Sequence, residues 1–214
     1  MVRTENSALP NGFRKAQRHL SRCDPLLAQL IKRVGPCTLQ PGADAFPALV
    51  RAIIAQMIST KAARAITSRV EALAPHGLTA AAVASVSEDA LRGAGLSRAK
   101  ALALKDLASR AESGELPLDH LTEMTDEEVI DCLVAVRGIG RWTAEMFLIF
   151  SLGRLDVLPV DDFGLRAGVR ELYELADLPG RAALRERGEV WRPYRSIATW
   201  YFWRGRGFVP QSES

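Results

Sequence analysis

The chain has 214 residues, of which 48% are hydrophobic and 25% are charged, and its formal net charge is +3. This length and composition are enough to bury a core, as one domain or two small lobes, and exclude extensive disorder. The small positive excess favours anionic partners but is too weak to identify a nucleic-acid-binding protein.

The first predicted elements are two helices with clear boundaries. Asp24 is a candidate N-cap and Pro25 a candidate first-turn residue, before an apolar helix that ends at Gly35 and Pro36. Asp44 opens the next segment, whose apolar residues have the spacing of one helix face. That stripe consists of Phe46, Val50, Ile53, Ile54 and Met57.

Later helices also carry start and stop signals. Ser97 begins a long helix that stops at Gly114, and Thr125 with Glu128 forms a capping box before another. No stretch alternates with a period of two, and the short apolar run at 157–160 contains Pro159. We therefore predict an all-α chain, with frayed residues expected at the first dozen positions and in the tail "PQSES".

Cysteine content and the N-terminus bear on cellular location. Cys23, Cys37 and Cys132 are too few and too scattered for a disulfide framework or a cysteine-based metal site. The N-terminus lacks the apolar segment of a signal peptide, and no run approaches the roughly 20 apolar residues of a membrane span. We expect an intracellular, cytoplasmic protein without a membrane partner.

The stretch "LVAVRGIGRWTAEM" predicts two helices joined by a tight turn. Gly138 suits the left-handed position that ends a helix, and Gly140 permits close approach to the backbone. The next helix begins near Arg141, where free N–H groups and the helix dipole form an anion site. Two glycines alone fit an ordinary helix–helix turn equally well.

The wider context resembles a known family. The hairpin "LVAVRGIG", the following "RWTAEMFLIFSLG" and the loop "RLDVLPVDDFGLRAG" are similar to the helix-hairpin-helix (HhH-GPD) DNA glycosylase superfamily. Within it the chain resembles bacterial 3-methyladenine DNA glycosylases of the inducible, broad-specificity type. The segments "AIIAQMISTKAA" and "WRPYRSIATWYFW" also match, so the resemblance covers the chain from about Asp24 onward.

The resemblance implies a two-lobed helical fold without the N-terminal sheet domain of some relatives. Residues 1–44 are expected to pack with 155–214 as one lobe. Residues 45–154 form the central lobe, which ends in the helix-hairpin-helix at about 125–153. The expected partner is double-stranded DNA containing alkylated bases, bound by a monomer.

The implied activity is hydrolysis of the N-glycosidic bond of alkylated bases such as 3-methyladenine and 7-methylguanine, in base excision repair. Of two adjacent aspartates, the family pattern assigns the catalytic role to Asp162 rather than Asp161. A carboxylate stabilises the positive charge that develops on the sugar and can orient water. Both residues also stand where a helix begins, so either can simply be an N-cap.

The resemblance assigns a base pocket and a DNA wedge. Trp142 and Trp203 match the family's pocket aromatics, Trp200 lies one turn before Trp203, and Met146 replaces a third aromatic. Cationic alkylated purines stack well on such rings, although core packing is the usual role of a tryptophan. Met57, with Ile58 next, is the expected wedge, unless Met57 only ends its apolar stripe.

Phosphate contacts are expected at the hairpin and the helix after the wedge. The candidate residues are Gly138, Gly140, Arg141, Thr143 and Lys61. In the family a monovalent cation bridges to the same phosphate, which here gives a Na⁺ or K⁺ ion on the carbonyls of Val134, Val136 and Ile139.

Two further expectations concern lyase activity and cofactors. Lyase relatives carry a lysine where this chain has Trp142, so no cleavage of an abasic site is expected. No cysteine follows Cys132, so neither an iron–sulfur cluster nor another required cofactor is expected. The alternatives are a glycosylase for other damaged or mismatched bases, and a non-catalytic DNA-binding module.

Overall fold

The computed structural model of the chain describes residues 9–207, with side chains from residue 13 onward. Within this range every regular element is helical and no strand is present, so the all-α prediction is confirmed. None of these helices is both long enough and apolar enough to cross a membrane. The expected fraying falls mainly on residues 1–8 and 208–214, which lie outside the described residues, whereas residues 9–12 begin a helix.

The described residues form two compact units. Unit 2 is Pro41–Leu152, and unit 1 contains the described residues up to Gln40 and from Gly153 onward. The helices of unit 2 are α3 (Ala45–Ala55), α4 (Thr60–Ala72), α5 (Ala80–Ser85), α6 (Glu88–Gly93), α7 (Arg98–Ser113), α8 (Asp126–Val134) and α9 (Arg141–Phe150). Those of unit 1 are α1 (Leu9–Cys23), α2 (Pro25–Val34), α10 (Phe163–Leu172), α11 (Arg181–Gly188) and α12 (Arg195–Gly205).

Helix α7 is the central element of unit 2, and local signals set both its ends. The side chain of Ser97 accepts the N–H of Lys100, and Gly114 ends the helix in the left-handed conformation at φ 79°. Helix α7 packs against α3, α5 and α6. The capping box of Thr125 and Glu128 at the start of α8 is also present, so both predicted boundaries are confirmed.

Helix α12 is the central element of unit 1. Residues 196–203 are all buried, as expected for a helix enclosed on every side. It packs against α1, α2 and α10. Gly168 of α10 permits a close contact with α12, because a Cβ there would lie 3.0 Å from Cβ of Phe202 and 3.2 Å from its carbonyl oxygen.

Asp24 joins three segments of unit 1. Its Oδ1 accepts the N–H groups of Leu26 and Leu27 at 3.1 and 3.0 Å, which confirms the predicted cap of α2. Its Oδ2 accepts the indole N–H of Trp191 at 2.9 Å and the hydroxyl of Tyr173. The carboxylate is buried, and these four donors offset the cost of removing it from water.

We expect Asp24→Ala to lower the free energy of unfolding by about 2–4 kcal/mol, since it removes a helix cap and leaves two side-chain donors without an acceptor. Urea denaturation measures this loss. Asp44→Ala is the matched control, because Asp44 begins α3 without any side-chain cap bond and should cost less than about 0.5 kcal/mol. Equal losses in the two variants would contradict the role of Asp24.

Candidate active site

Asp162 lies at the N-cap of α10. Its Oδ1 accepts the backbone N–H of Leu165 at 2.5 Å and the indole N–H of Trp203 at 2.7 Å. The residue is only 7% exposed. Asp162 therefore caps α10, as considered from the sequence. The same carboxylate oxygen also accepts the hydrogen bond from Trp203.

Gly164 makes the contact between Asp162 and Trp203 possible. A Cβ at this position would lie 2.9 Å from Cδ1 of Trp203 and 3.1 Å from Oδ1 of Asp162. Gly164 and Gly168 are four residues apart on α10, so both face the same way along the helix. A larger residue at position 164 would force the buried indole away from the carboxylate.

The loop before Asp162 is anchored to the start of α12. The hydroxyl of Ser196 donates to the carbonyl of Arg154 at 2.7 Å and accepts the N–H of Val157 at 2.9 Å. The guanidinium of Arg195 donates to the carboxylate of Asp156 at 2.8 and 3.0 Å and to its carbonyl at 2.7 Å. These bonds fix the backbone that leads to Asp162.

Asp161 has a different environment from its neighbour. It is exposed and forms an ion pair with Arg181. An exposed pair of this kind contributes little to stability, about 0–1 kcal/mol. The two adjacent aspartates therefore differ in burial and in partners, and only Asp162 contacts an aromatic side chain predicted for the pocket.

The hairpin joins α8 to α9 through a turn at residues 135–140. Gly138 adopts φ +79°, a left-handed conformation that favours glycine. Gly140 is the N-cap of α9 at φ −96°, and a Cβ there would meet no atom within 4 Å. Neither the backbone nor the surrounding chain requires glycine at position 140.

Three carbonyls of the turn are the candidate ligands of the expected cation. The carbonyl of Val136 accepts the N–H of Ile139 at 3.1 Å and retains a second lone pair. Within the described residues, no backbone N–H bonds to the carbonyl of Val134 or of Ile139. Peptide oxygens of this kind can replace the hydration shell of a monovalent cation.

Arg141 at the start of α9 is held by two carboxylates. Its guanidinium donates to Glu127 at 2.9 Å and to the buried Glu145 at 3.2 Å. The hydrogen bond from Arg141 lowers the pKa of Glu127 below its usual value. Thr143 is only 7% exposed. The side chain of Thr143 is therefore buried, whereas the guanidinium of Arg141 is paired with carboxylates but remains half-exposed.

The turn predicted as a wedge lies beside the hairpin in unit 2. The amide of Gln56 donates to the carbonyl of Gly138 at 2.9 Å. Met57 is fully exposed and adopts φ +58°, so it does not end the apolar stripe of α3 in the core. Ile58 is half-buried, and Lys61 on α4 is exposed.

The four residues predicted for the base pocket have different environments. Trp142 is 46% exposed, and Met146 lies one turn later on α9 and is half-buried. Trp203 is buried against Asp162. Trp200 is 1% exposed and packs edge-to-face on Tyr201, so it is about as buried as Trp203, which is 2% exposed.

A family model described as the HhH-GPD superfamily base excision DNA repair protein matches residues 50–193. The chain belongs to the HhH-GPD superfamily. The match includes the turn of Met57, the hairpin and Asp162, so the family predicted from these segments is confirmed.

Several HhH-GPD proteins are similar over most of their length. DNA-3-methyladenine glycosylase 1 of Schizosaccharomyces pombe is 34% identical over 206 residues, covering 94% of this chain and 90% of its own. A solved complex of S. pombe 3-methyladenine DNA glycosylase (Mag1) with abasic DNA is 35% identical, with a TM-score of 0.79 over 89% of this chain and 95% of its own. A DNA-3-methyladenine glycosidase structure from Bacillus halodurans is 39% identical, with a TM-score of 0.80 over 88% and 87%.

Three residues of this HhH-GPD site were missed by sequence reasoning. Gly164 was detectable, because "GLRAG" places two glycines four apart immediately after the candidate aspartate. Ser196 and Arg195 had no such signal, since their partners lie about forty residues earlier in the chain.

We expect Gly164→Ala to displace the Trp203 indole and destabilise the protein by about 1–3 kcal/mol, as overpacking does in a dense core. The indole N–H resonance of Trp203 should move, because its bond to Asp162 weakens. Nuclear magnetic resonance of the indole region and urea denaturation measure both effects. Gly93→Ala is the control, since a Cβ there meets nothing within 4 Å. An unmoved Trp203 resonance would contradict the close-approach role of Gly164.

Proposed function

We propose that this protein is a monofunctional DNA glycosylase that removes alkylated purines from duplex DNA by hydrolysis. The observation that carries the proposal is the position of Asp162, which closes the loop after the hairpin and is held through Oδ1 beside Trp203. Relatives named DNA-3-methyladenine glycosylases support the substrate class.

The chemistry requires an anion close to the sugar. Breaking the bond between C1′ and the base nitrogen leaves positive charge on the sugar, which the carboxylate of Asp162 stabilises while water attacks C1′. Alkylation at N3 or N7 makes the purine cationic, so the base departs as a neutral molecule. The carboxylate stands at the N-terminus of α10, where the helix dipole interacts favourably with negative charge.

Recognition of the flipped base is assigned to Trp142, Met146 and Trp203. The exposed indole of Trp142 offers a face on which a cationic purine can stack. Met146 is flexible and polarizable, so it can adapt to bases of different shape. Met57 fills the space that the extruded base leaves, because its side chain is fully exposed on a fixed turn.

Phosphate binding is assigned to the hairpin. The first backbone N–H groups of α9 can bind a phosphate, and Gly140 leaves room for it to approach. Lys61, which follows the proposed wedge closely in the sequence, adds a positive charge. A Na⁺ or K⁺ ion on the carbonyls of Val134, Val136 and Ile139 would supply further positive charge to the same phosphate.

Asp162→Asn tests the catalytic role, because the asparagine amide retains an oxygen that can cap α10 and accept from Trp203. We expect release of 7-methylguanine or 3-methyladenine from duplex DNA to fall by about 100-fold or more, with duplex binding retained. Separate duplexes carrying an alkylated purine, 8-oxoguanine or a mismatch measure excision by single-turnover kinetics.

Asp161→Asn is the matched control and should excise at close to the wild-type rate, since Asp161 faces Arg181 at the surface. Equal rates for wild type and Asp162→Asn would refute the assignment of Asp162. Wild-type release of only oxidised or mismatched bases would refute the alkylation assignment. Tight binding without any release would favour the non-catalytic module, for which an N-cap aspartate is sufficient.

The absence of strand cleavage is a separate prediction. A lyase needs an amine to attack C1′, and Trp142 offers none at the position where lyase relatives carry lysine. Borohydride added during the reaction should therefore trap no covalent protein–DNA adduct, and the product should remain an intact abasic strand. A trapped adduct seen after denaturing electrophoresis would overturn the monofunctional assignment.

A further inference from the structure

The turn that carries Met57 is held in an unfavourable conformation. Helix α3 ends at Ala55, and α4 begins at Thr60 with Ser59 as its cap. Between them, Met57 adopts φ +58°, a left-handed region that is unfavourable for a residue other than glycine. Such a conformation persists only where surrounding contacts impose it.

Lys100 bonds to two backbone carbonyls that closely precede this strained residue. Its ammonium group donates to the carbonyl of Ile54 at 2.8 Å and to that of Gln56 at 2.6 Å. These carbonyls belong to the end of α3 and the residue before Met57, where a cation also interacts well with the helix dipole. Burial lowers the pKa of Lys100, and the two carbonyls compensate its lost hydration.

Helix α7 also holds the hairpin. The carboxylate of Asp106 accepts the N–H of Arg137 at 2.7 Å, immediately before Gly138. A Cβ at Gly138 would lie 3.4 Å from the Cβ of Ala103. With the bond from Gln56 to Gly138, the two exposed turns are connected both to each other and to one helix.

We propose that Lys100 is a positioning residue that fixes the turn of Met57 against α7, so that Met57 enters the DNA duplex already in place. This inference rests on the proposed function, in which Met57 is the wedge. Without Lys100, the carbonyls of Ile54 and Gln56 lose their donor, and the backbone of Met57 can relax to an ordinary conformation. Insertion then requires ordering of the turn, whereas phosphate binding at the hairpin continues.

Lys100→Met keeps the length of the side chain and removes its charge and donors. The probe is a duplex with 2-aminopurine beside a tetrahydrofuran abasic analogue, whose fluorescence rises when a side chain disturbs stacking. We expect the variant to lose most of this rise and to slow single-turnover release of 7-methylguanine by about tenfold, because the turn can then relax to an unstrained conformation. Affinity for undamaged duplex should stay within about twofold.

Lys105→Met is the matched control. Lys105 lies on the same helix and donates to the carbonyls of Ala84 and Val86 at the end of α5, so it makes the same kind of contact away from Met57. It should lower thermal stability by a similar amount and leave the fluorescence rise unchanged. An equal loss of signal in both lysine variants would overturn the proposal, because general destabilisation would then explain it.

A double-mutant cycle with Met57→Ala tests whether Lys100 acts through Met57. Adding Lys100→Met to Met57→Ala should cause little further loss, and multiplicative losses would overturn the proposal. If Lys100→Met fails to fold, Lys100→Gln replaces it in the same cycle, since Gln keeps an N–H donor. The fluorescence rise and the release rate should again fall. If wild type releases no base but its fluorescence rise depends on Lys100, the proposed hydrolysis fails and the positioning role stands.

Discussion

Oδ1 of Asp162 accepts two hydrogen bonds, and the organisation of unit 1 around the candidate site depends on this arrangement. A buried carboxylate is costly unless donors surround it. The start of α10 provides one donor and the indole of Trp203 another. Gly164 lacks the Cβ that would separate the indole from the carboxylate, and Gly168 lets α12 lie close along α10.

The side chain of Asp162 contributes to stability and is also the proposed catalytic group. An N-cap aspartate needs only one oxygen to accept the N–H of the third helical residue. Asp162 also stands at a helix N-terminus, where the helix dipole interacts favourably with the negative charge that the proposed chemistry uses. Capping therefore supports the proposed role of Asp162. The adjacent Asp161, paired with Arg181 at the surface, has neither the burial nor the aromatic neighbour.

Unit 2 holds two short turns in fixed conformations at its surface. Exposed loops bind reliably when a rigid scaffold positions them. Here α7 is the scaffold, and its polar side chains Lys100 and Asp106 bond to the backbone of the wedge turn and of the hairpin. The bond from Gln56 to Gly138 joins the turns directly. The exposed side chain of Met57 thus stands on a well-supported backbone.

Sequence reasoning predicted features whose causes are local. The caps at Asp24, Ser97 and Thr125 were found because the capping side chain and its N–H partner lie within three residues. Phe13, Ala16 and Leu20 of helix α1 have helical spacing and are buried, whereas fraying was expected only for the first dozen residues.

By itself, the sequence determined the helical class, the helix boundaries set by caps, and membership of the HhH-GPD superfamily. Only the tertiary structure decided which of Asp161 and Asp162 is buried, that Trp200 lies in the core, and which side chains support the turns. The bonds of Lys100 to α3 and of Ser196 to the loop before Asp162 span about forty residues or more. Such partners share no helical or alternating period, so folding alone brings them together.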